Sequence, residues 1–255
     1  MMKERQSKSG SVEKALSIIE LFSMKTPSLT LDAIAERSGF PKPTVFRMLC
    51  SLEKFGYVKR VTLEGQMRFK LGMAFMEKSQ IVTSDFDIRE YAKSELLELR
   101  NKTGLSVQLA VRDGDHAVYI EQFESLNPIR VYPQVGRRVP LYAAACPRIL
   151  LAYLPENEQD YILSNYEYTS FTSKTKISYD SIKKELNEIK AKGYSLSHGE
   201  LYEGTTAIAV PVFGKLKEVL GAISMIGMSQ DFEPDHVEKF IGLLKETASK
   251  IENNL

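Results

Sequence analysis

Leu31-Asp32-Ala33-Ile34-Ala35-Glu36-Arg37-Ser38-Gly39-Phe40-Pro41-Lys42-Pro43-Thr44-Val45-Phe46-Arg47-Met48-Leu49 is the stretch on which the fold turns. Thr30 precedes it as the N-cap of a short helix, and Ser38-Gly39-Phe40-Pro41 breaks that helix. Gly39 supplies the positive φ of a tight interhelical turn, because it has no Cβ to clash. A third helix is expected from about Pro43 to Phe55, with Pro43 at its first position, where a missing N–H costs nothing. Val45, Leu49 and Leu52 face one way, towards other helices. Lys42, Thr44, Arg47 and Ser51 lie near the helix start or on the outer side. Hydroxyls and cations on an exposed helix suit the phosphates and base edges of a DNA major groove. Phe46 either packs inward or touches a thymine methyl, which asks only for apolar contact.

Upstream, a first helix is expected from a Ser11 cap to about Met24, with Val12, Ala15, Leu16, Ile19 and Phe22 as its apolar face. Downstream, Gly56–Thr62 and Gln66–Gly72 alternate around Leu63-Glu64-Gly65, the pattern of a β-hairpin. A hairpin directly after a reading helix is a wing, and Lys59, Arg60, Arg68 and Lys70 are candidates for the phosphate backbone. Charge supports this. Residues 1–72 hold 13 of the 34 Lys and Arg but only 7 of the 33 Asp and Glu, a surplus of six positive charges. The remainder holds 21 basic and 26 acidic residues, a deficit of five. A helical module that binds protein is the alternative; the order helix, glycine turn, basic helix, basic hairpin favours double-stranded DNA.

Residues 71–100 are mostly helical in pattern, with Asp85 or Asp87 as cap and Asn101-Lys102-Thr103-Gly104 as stop. Beyond them, Leu105–Val111, Ala117–Phe123, Ile129–Tyr132, Ala207–Phe213 and Val219–Ile226 read as strands. Pro147–Leu154, Tyr179–Lys192 between Ser178 and Gly193, and Pro234 to about Asn253 read as helices. The expected fold is α+β: a winged helix-turn-helix over 1–72, a helical linker over 73–100, and a domain with a largely antiparallel sheet over 101–255.

The 255 residues are 43% hydrophobic and 26% charged, the balance of an ordinary globular protein. No apolar run approaches the roughly 20 residues that span a bilayer, and the polar N-terminus lacks a signal-peptide core, so a cytoplasmic protein without membrane contact is expected. No phosphate loop, HExxH or GxSxG occurs, and His116, His198 and His236 lack metal-ligand spacing; no cofactor, metal or catalytic residue is expected. Cys146 reads as a buried or pocket-lining thiol, because no catalytic signature accompanies it. Ala144, Ala145 and Cys146 are small and precede the helix expected at Pro147. Its free N–H groups and dipole favour a carboxylate there.

The stretch 31–49, followed by Leu52-Glu53-Lys54-Phe55-Gly56-Tyr57-Val58, resembles the reading head of the IclR family of bacterial transcription regulators, with Pro43 where that family usually has Ser. The likeness extends through Gly136–Ala152, Lys192-Gly193-Tyr194-Ser195, Glu200, Gly204, Ala207-Ile208-Ala209, Pro211-Val212-Phe213 and Gly221-Ala222-Ile223-Ser224. The resemblance implies a GAF-like effector domain and homodimers or homotetramers. It also implies a pocket lined by the segment holding Ala145 and Cys146, with Val139, Ser197, Thr205, Ala207, Ser224 and Ile226. Tyr142, Ala144 and Pro147-Arg148 depart from the family pattern at that pocket. The function expected is a ligand-responsive transcription regulator, not an enzyme: a repressor of a catabolic operon controlled by a small carboxylate. A thiol-based redox regulator, or a Cys146-dependent enzyme fused to a DNA-binding head, is the alternative.

Overall fold

A computed structural model describes residues 10–83, 87–126 and 134–255. The chain forms two compact units, residues 1–85 and 86–255. In the first, α1 (Ser11–Ile19), α2 (Leu31–Ser38) and α3 (Lys42–Lys54) precede the hairpin β1 (Val58–Leu63) and β2 (Gln66–Leu71), and α4 (Ala74–Thr83) follows. Ile18, Phe22, Leu29, Ile34, Val45, Leu49, Val58 and Phe69 form its core. Thr30 Oγ1 accepts from Ala33 N at 3.2 Å, and Gly39 ends α2 at φ 70°, as expected. Glu64 and Gly65 both take positive φ, 52° and 73°, which matches the hairpin twist.

Three details differ from expectation. Gly10, not Ser11, caps α1, and the helix ends at Ile19. Its apolar face is turned: Ile18 is fully buried while Val12 and Leu16 are 73% and 56% exposed. They line an open apolar groove with Met48, Leu52 and Phe55. Pro43 is the second helical residue, after Lys42, and Pro41 is the cap.

The second unit opens with α5 (Asp87–Thr103), which runs further than expected, to Gly104 at φ 72°. The linker read over 73–100 is thus divided. Phe75 of α4 stacks on Tyr57 at 5.1 Å, inside the first unit. Ile88, Ala92, Leu96 and Leu99 of α5 enter the core of the second. Of the two candidate caps, Asp85 lies outside the described residues and Asp87 is already helical.

The remaining elements are β3 (Ser106–Asp113), β4 (His116–Phe123), β5 (Arg138–Pro140), α6 (Ala145–Ala152), α7 (Glu156–Asn165), α8 (Tyr179–Lys192), β6 (Ser195–His198), β7 (Thr205–Phe213), β8 (Val219–Met228) and α9 (Pro234–Asn254). The strand expected at Ile129–Tyr132 falls outside the described residues. The α8 bounds match expectation; α7, β5 and β6 are additions. The sheet is antiparallel, in the order β5-β4-β3-β8-β7-β6.

Strand alternation sorts the side chains into two layers. Val107, Leu109, Val111, Ile208, Val210, Ile223 and Met225 pack against α5 and α9. Ala110, Ala117, Tyr119, Ala209 and Ala222 pack against α6 and α8. The second layer is built from alanines, which lets α6 lie close to the sheet.

Gly72 marks the tightest backbone approach in the first unit. A Cβ there would sit 2.0 Å from Gly56 O, beside the hydrogen bond from Gly72 N to Tyr57 O at 2.8 Å. Gly72→Ala is expected to push the strand ends apart and cost about 1–3 kcal/mol. Hydrogen exchange should show lost protection in β1 and β2 with β7 and β8 unchanged; equal protection in the hairpin would refute this.

Candidate DNA-reading head and effector cavity

Core packing leaves Phe46 and Arg47 exposed on α3, Thr44 half-buried near its start, and Ser51 exposed near its end. Ser51 Oγ donates to Arg47 O at 3.1 Å and borders the apolar groove beside α1. Lys42 Nζ pairs with Asp32 at 2.9 Å, both side chains being mostly exposed. Such a surface pair contributes about 0–1 kcal/mol, so a phosphate can displace Asp32. In the hairpin, Lys59 registers with Lys70 and Val61 with Arg68, which puts Lys59, Arg68 and Lys70 on one face.

Arg60 is on the other face, and this corrects its expected phosphate role. Its Nη2 lies 2.8 Å from Glu53 Oε2 and 3.3 Å from Cys50 Sγ. Its guanidinium stacks on Phe46 at 5.4 Å and on Phe69 at 5.9 Å. Arg60 therefore braces the wing against α3.

In the second unit α6 begins at Ala145, two residues earlier than expected, and every residue of it is buried. Its cap, Ala144, is held at φ 67°, a conformation that costs a residue with a Cβ. Helix geometry gives the Ala145 and Cys146 N–H groups no intrahelical partner. Pro147 has no N–H, and Arg148 N bonds Ala144 O at 3.3 Å. Ala144, Ala145 and Cys146 form one wall of a cavity; Gln108, Tyr119, Ser224 and Ile226 form its floor. Ser197, Thr205 and Ala207 close one side, and the loop residues Glu200, Leu201 and Tyr202 another.

Seven of the eight expected effector residues meet here. Val139 does not: it is buried on β5 in the same layer, away from the cavity wall. Gln108, Tyr119, Glu200, Leu201 and Tyr202 were not among the expected effector residues. Gln108 and Tyr119 sit in strands, where a polar or aromatic residue carries no sequence mark of which layer it faces, and Leu201 and Tyr202 lie in a loop positioned by Glu200. The cavity is small, about 20 Å³, room for roughly one water.

Arg148 is fully buried and its charge is spoken for. Its Nη1 donates to Glu200 Oε2 at 2.6 Å, and Nη2 to Glu200 Oε1. Its Nε lies 3.2 Å from Glu185 Oε1 on α8. Burial pushes the Glu200 carboxyl up, but Arg148's hydrogen bonds and charge outweigh it and hold the group below the usual 4.5. Thr172 Oγ1 and Thr175 Oγ1 fix the loop by donating to Gly199 O and Glu200 O at 2.6 and 2.7 Å.

Cys146 Sγ donates to Ala222 O at 3.3 Å, and burial pushes the thiol up to about 12, only partly offset by Ser224. A reactive cysteine needs a thiolate, and this environment suppresses it. His116 contacts Asp115, His198 contacts Thr206, and His236 lies against Phe240, so none activates Cys146. Among the described residues no cluster of His, Cys, Asp or Glu suits a metal, and no helix is long and apolar enough to cross a membrane.

A three-helix head with a basic wing, joined to a six-stranded antiparallel sheet covered by helices, defines a two-unit DNA-binding regulator. The sequence profile of the IclR helix-turn-helix domain matches residues 11–62, and that of the bacterial transcriptional regulator IclR C-terminal domain matches residues 80–253. The chain belongs to the IclR family of bacterial transcriptional regulators. It is 34% identical over 250 residues to the HTH-type transcriptional regulator KipR of Bacillus subtilis (strain 168), covering 98% of each chain. An IclR transcriptional regulator from Alicyclobacillus acidocaldarius superposes with a TM-score of 0.79 at 30% identity, over 95% of this chain and 97% of that one. An IclR homologue from Microbacterium hydrocarbonoxydans, solved with 4-hydroxybenzoate, shares the fold: TM-score 0.82 at 21% identity, over 96% and 99%. The relatives are named as regulators, and the chain is a transcriptional regulator, not an enzyme.

Glu200→Gln removes one of the two carboxylates that answer a buried cation and is expected to cost about 3 kcal/mol of stability. The sign with pH follows from the depressed carboxyl. Its contribution is complete above pH 4.5 and is lost as pH falls through the lower folded value. Acid titration of unfolding should therefore be less steep in Glu200→Gln; identical acid profiles would refute the assignment.

Proposed function

We propose that the protein is a cytoplasmic repressor of a catabolic operon, released by a small carboxylate effector bound beneath the start of α6. The observation that carries the reading is the convergence of Ala145, Cys146, Ser197, Thr205, Ala207, Ser224 and Ile226 on one cavity. The carboxylate meets the Ala145 and Cys146 N–H groups, while Ser197, Thr205 and Ser224 bond the polar tail. Ala207 and Ile226 line an apolar carbon face. The Microbacterium homologue's complex with the carboxylate 4-hydroxybenzoate supports this class. A cavity with room for about one water must open to take such a molecule. The effector thus binds an opened state better than this one and shifts the population away from the DNA-binding form.

On DNA, Arg47, Thr44 and Phe46 face the major groove, Lys42 exchanges Asp32 for a phosphate, and Lys59, Arg68 and Lys70 follow the backbone. A homodimer, or a tetramer of two such dimers, presents paired heads to a near-palindromic operator. Exposed Val12, Leu16 and Phe55, and Met73, Met76, Ile81 and Val82 around α4, are the apolar surface that a second copy covers.

Arg47→Ala is expected to weaken operator binding by about 1–3 kcal/mol, roughly 5- to 150-fold, without changing the fold. Lys59→Ala and Lys70→Ala should each lower the salt slope by about one. Wild-type affinity in Arg47→Ala would sink the assignment of α3. For the cavity, Ala145→Trp and Ser224→Leu should abolish the thermal shift and DNA release caused by the effector, leaving operator affinity intact. A full response in both variants would move the effector site elsewhere.

A further inference from the structure

Gln108 lies on β3 in the centre of the sheet and is 2% exposed. Alternation turns its neighbours Val107 and Leu109 towards α5 and α9, so Gln108 faces α6 with Ala110. Its Oε1 accepts a long hydrogen bond from Ser224 Oγ, 3.5 Å. Its Nε2, which carries two hydrogens, has no partner. Folded proteins rarely leave a buried amide donor unpaired, because the lost hydration is not repaid. Packing alone gives no reason for so long an amide here, since its neighbours in the layer are alanines and the short hydroxyl side chains Ser224 and Ser197.

The cavity that Gln108 floors is also lined by Ala145 and Cys146, whose N–H groups at the start of α6 have no intrahelical partner. Strand and helix thus both bring donor-bearing residues to the lining of one space. Resting on the cavity reading above, we propose that Gln108 Nε2 is a specificity-determining donor for the effector carboxylate, completing a three-donor set with the Ala145 and Cys146 amides. Three donors suit a carboxylate, whose two oxygens offer about four lone-pair sites, better than a lone hydroxyl. Ser224 orients the amide by holding its Oε1. Glu200 sets the rest of the specificity. Each of its oxygens accepts one hydrogen bond from Arg148, and its negative charge at the cavity disfavours a second anionic group. The effector is therefore a monocarboxylate with an uncharged remainder, and dicarboxylates and phosphates are excluded.

The test is a melting experiment on the full chain with about 10 mM lactate, pyruvate, gluconate, 4-hydroxybenzoate or succinate. The wild type, Gln108→Leu, Gln108→Met and Ala145→Trp are compared. At least one of the four monocarboxylates should raise the wild-type Tm, and succinate should not. Both Gln108 variants should bind that monocarboxylate roughly tenfold or more weakly. Without it they should melt at or above the wild-type temperature, because an unpaired donor has been removed. Ala145→Trp should lose the shift as well. If Gln108→Met keeps the full shift while Ala145→Trp loses it, the Gln108 role is wrong and the cavity stands. If both keep it, the cavity reading itself fails. A fall of several degrees in both unliganded Gln108 variants makes the residue structural and overturns the proposal. So does a panel in which no monocarboxylate, or succinate equally well, stabilises the wild type.

Discussion

A guanidinium with no access to water must be answered by charge and hydrogen bonds, or it will not fold inside. Arg148 is answered by Glu200 from the loop before β7 and by Glu185 from α8. That interaction ties together three segments far apart in sequence. It fixes α6 over the alanine layer of the sheet, seats α8 behind it, and pins the loop that walls the cavity. With the loop held, Leu201 and Tyr202 reach the space in front of Ala145. The same interaction removes Arg148 as a partner for any entering anion, leaving backbone N–H groups and neutral side chains to do the recognising. The departure of Pro147-Arg148 from the family pattern thus has a structural content: the cation belongs to the scaffold.

The reading head follows a parallel logic on a smaller scale. Arg60 leans on Phe46 and Phe69 and reaches Glu53 and Cys50, which ties the wing to α3. Cations on the same hairpin therefore divide by strand parity. Lys59, Arg68 and Lys70 share one face, while Arg60 lies on the other, across from Phe69.

Much of this was legible where local chemistry decides. Thr30 and Gly39 bound α2, and Gly193 closes α8, because caps and left-handed residues act over a few bonds; Ser178 stands at the start of α8 without a side-chain capping bond. Legibility ended where a distant partner decides. Helix α1 carries two apolar stripes, and only packing on α3 selects Ile18 over Val12 and Leu16. Helix α7 is polar apart from Ile162 and Leu163, and it is held partly by Gln159 Nε2 donating to Ala152 O and Leu154 O. Pro147 suggested a helix start by its usual position, yet all of α6 is buried and begins two residues before it. Seven cavity residues were reachable through family resemblance. Gln108 was not, because a glutamine in a strand reads as facing solvent until the layer above it is known.

The tightness of the cavity has a kinetic side. A space for about one water admits a molecule of several heavy atoms only during a transient opening. Entry is then limited by how often the wall parts, not by diffusion, and exit waits on the same event. Affinity for such a closed space includes the cost of parting its wall, so a substitution outside the cavity that eases the opening strengthens binding without touching a ligand contact.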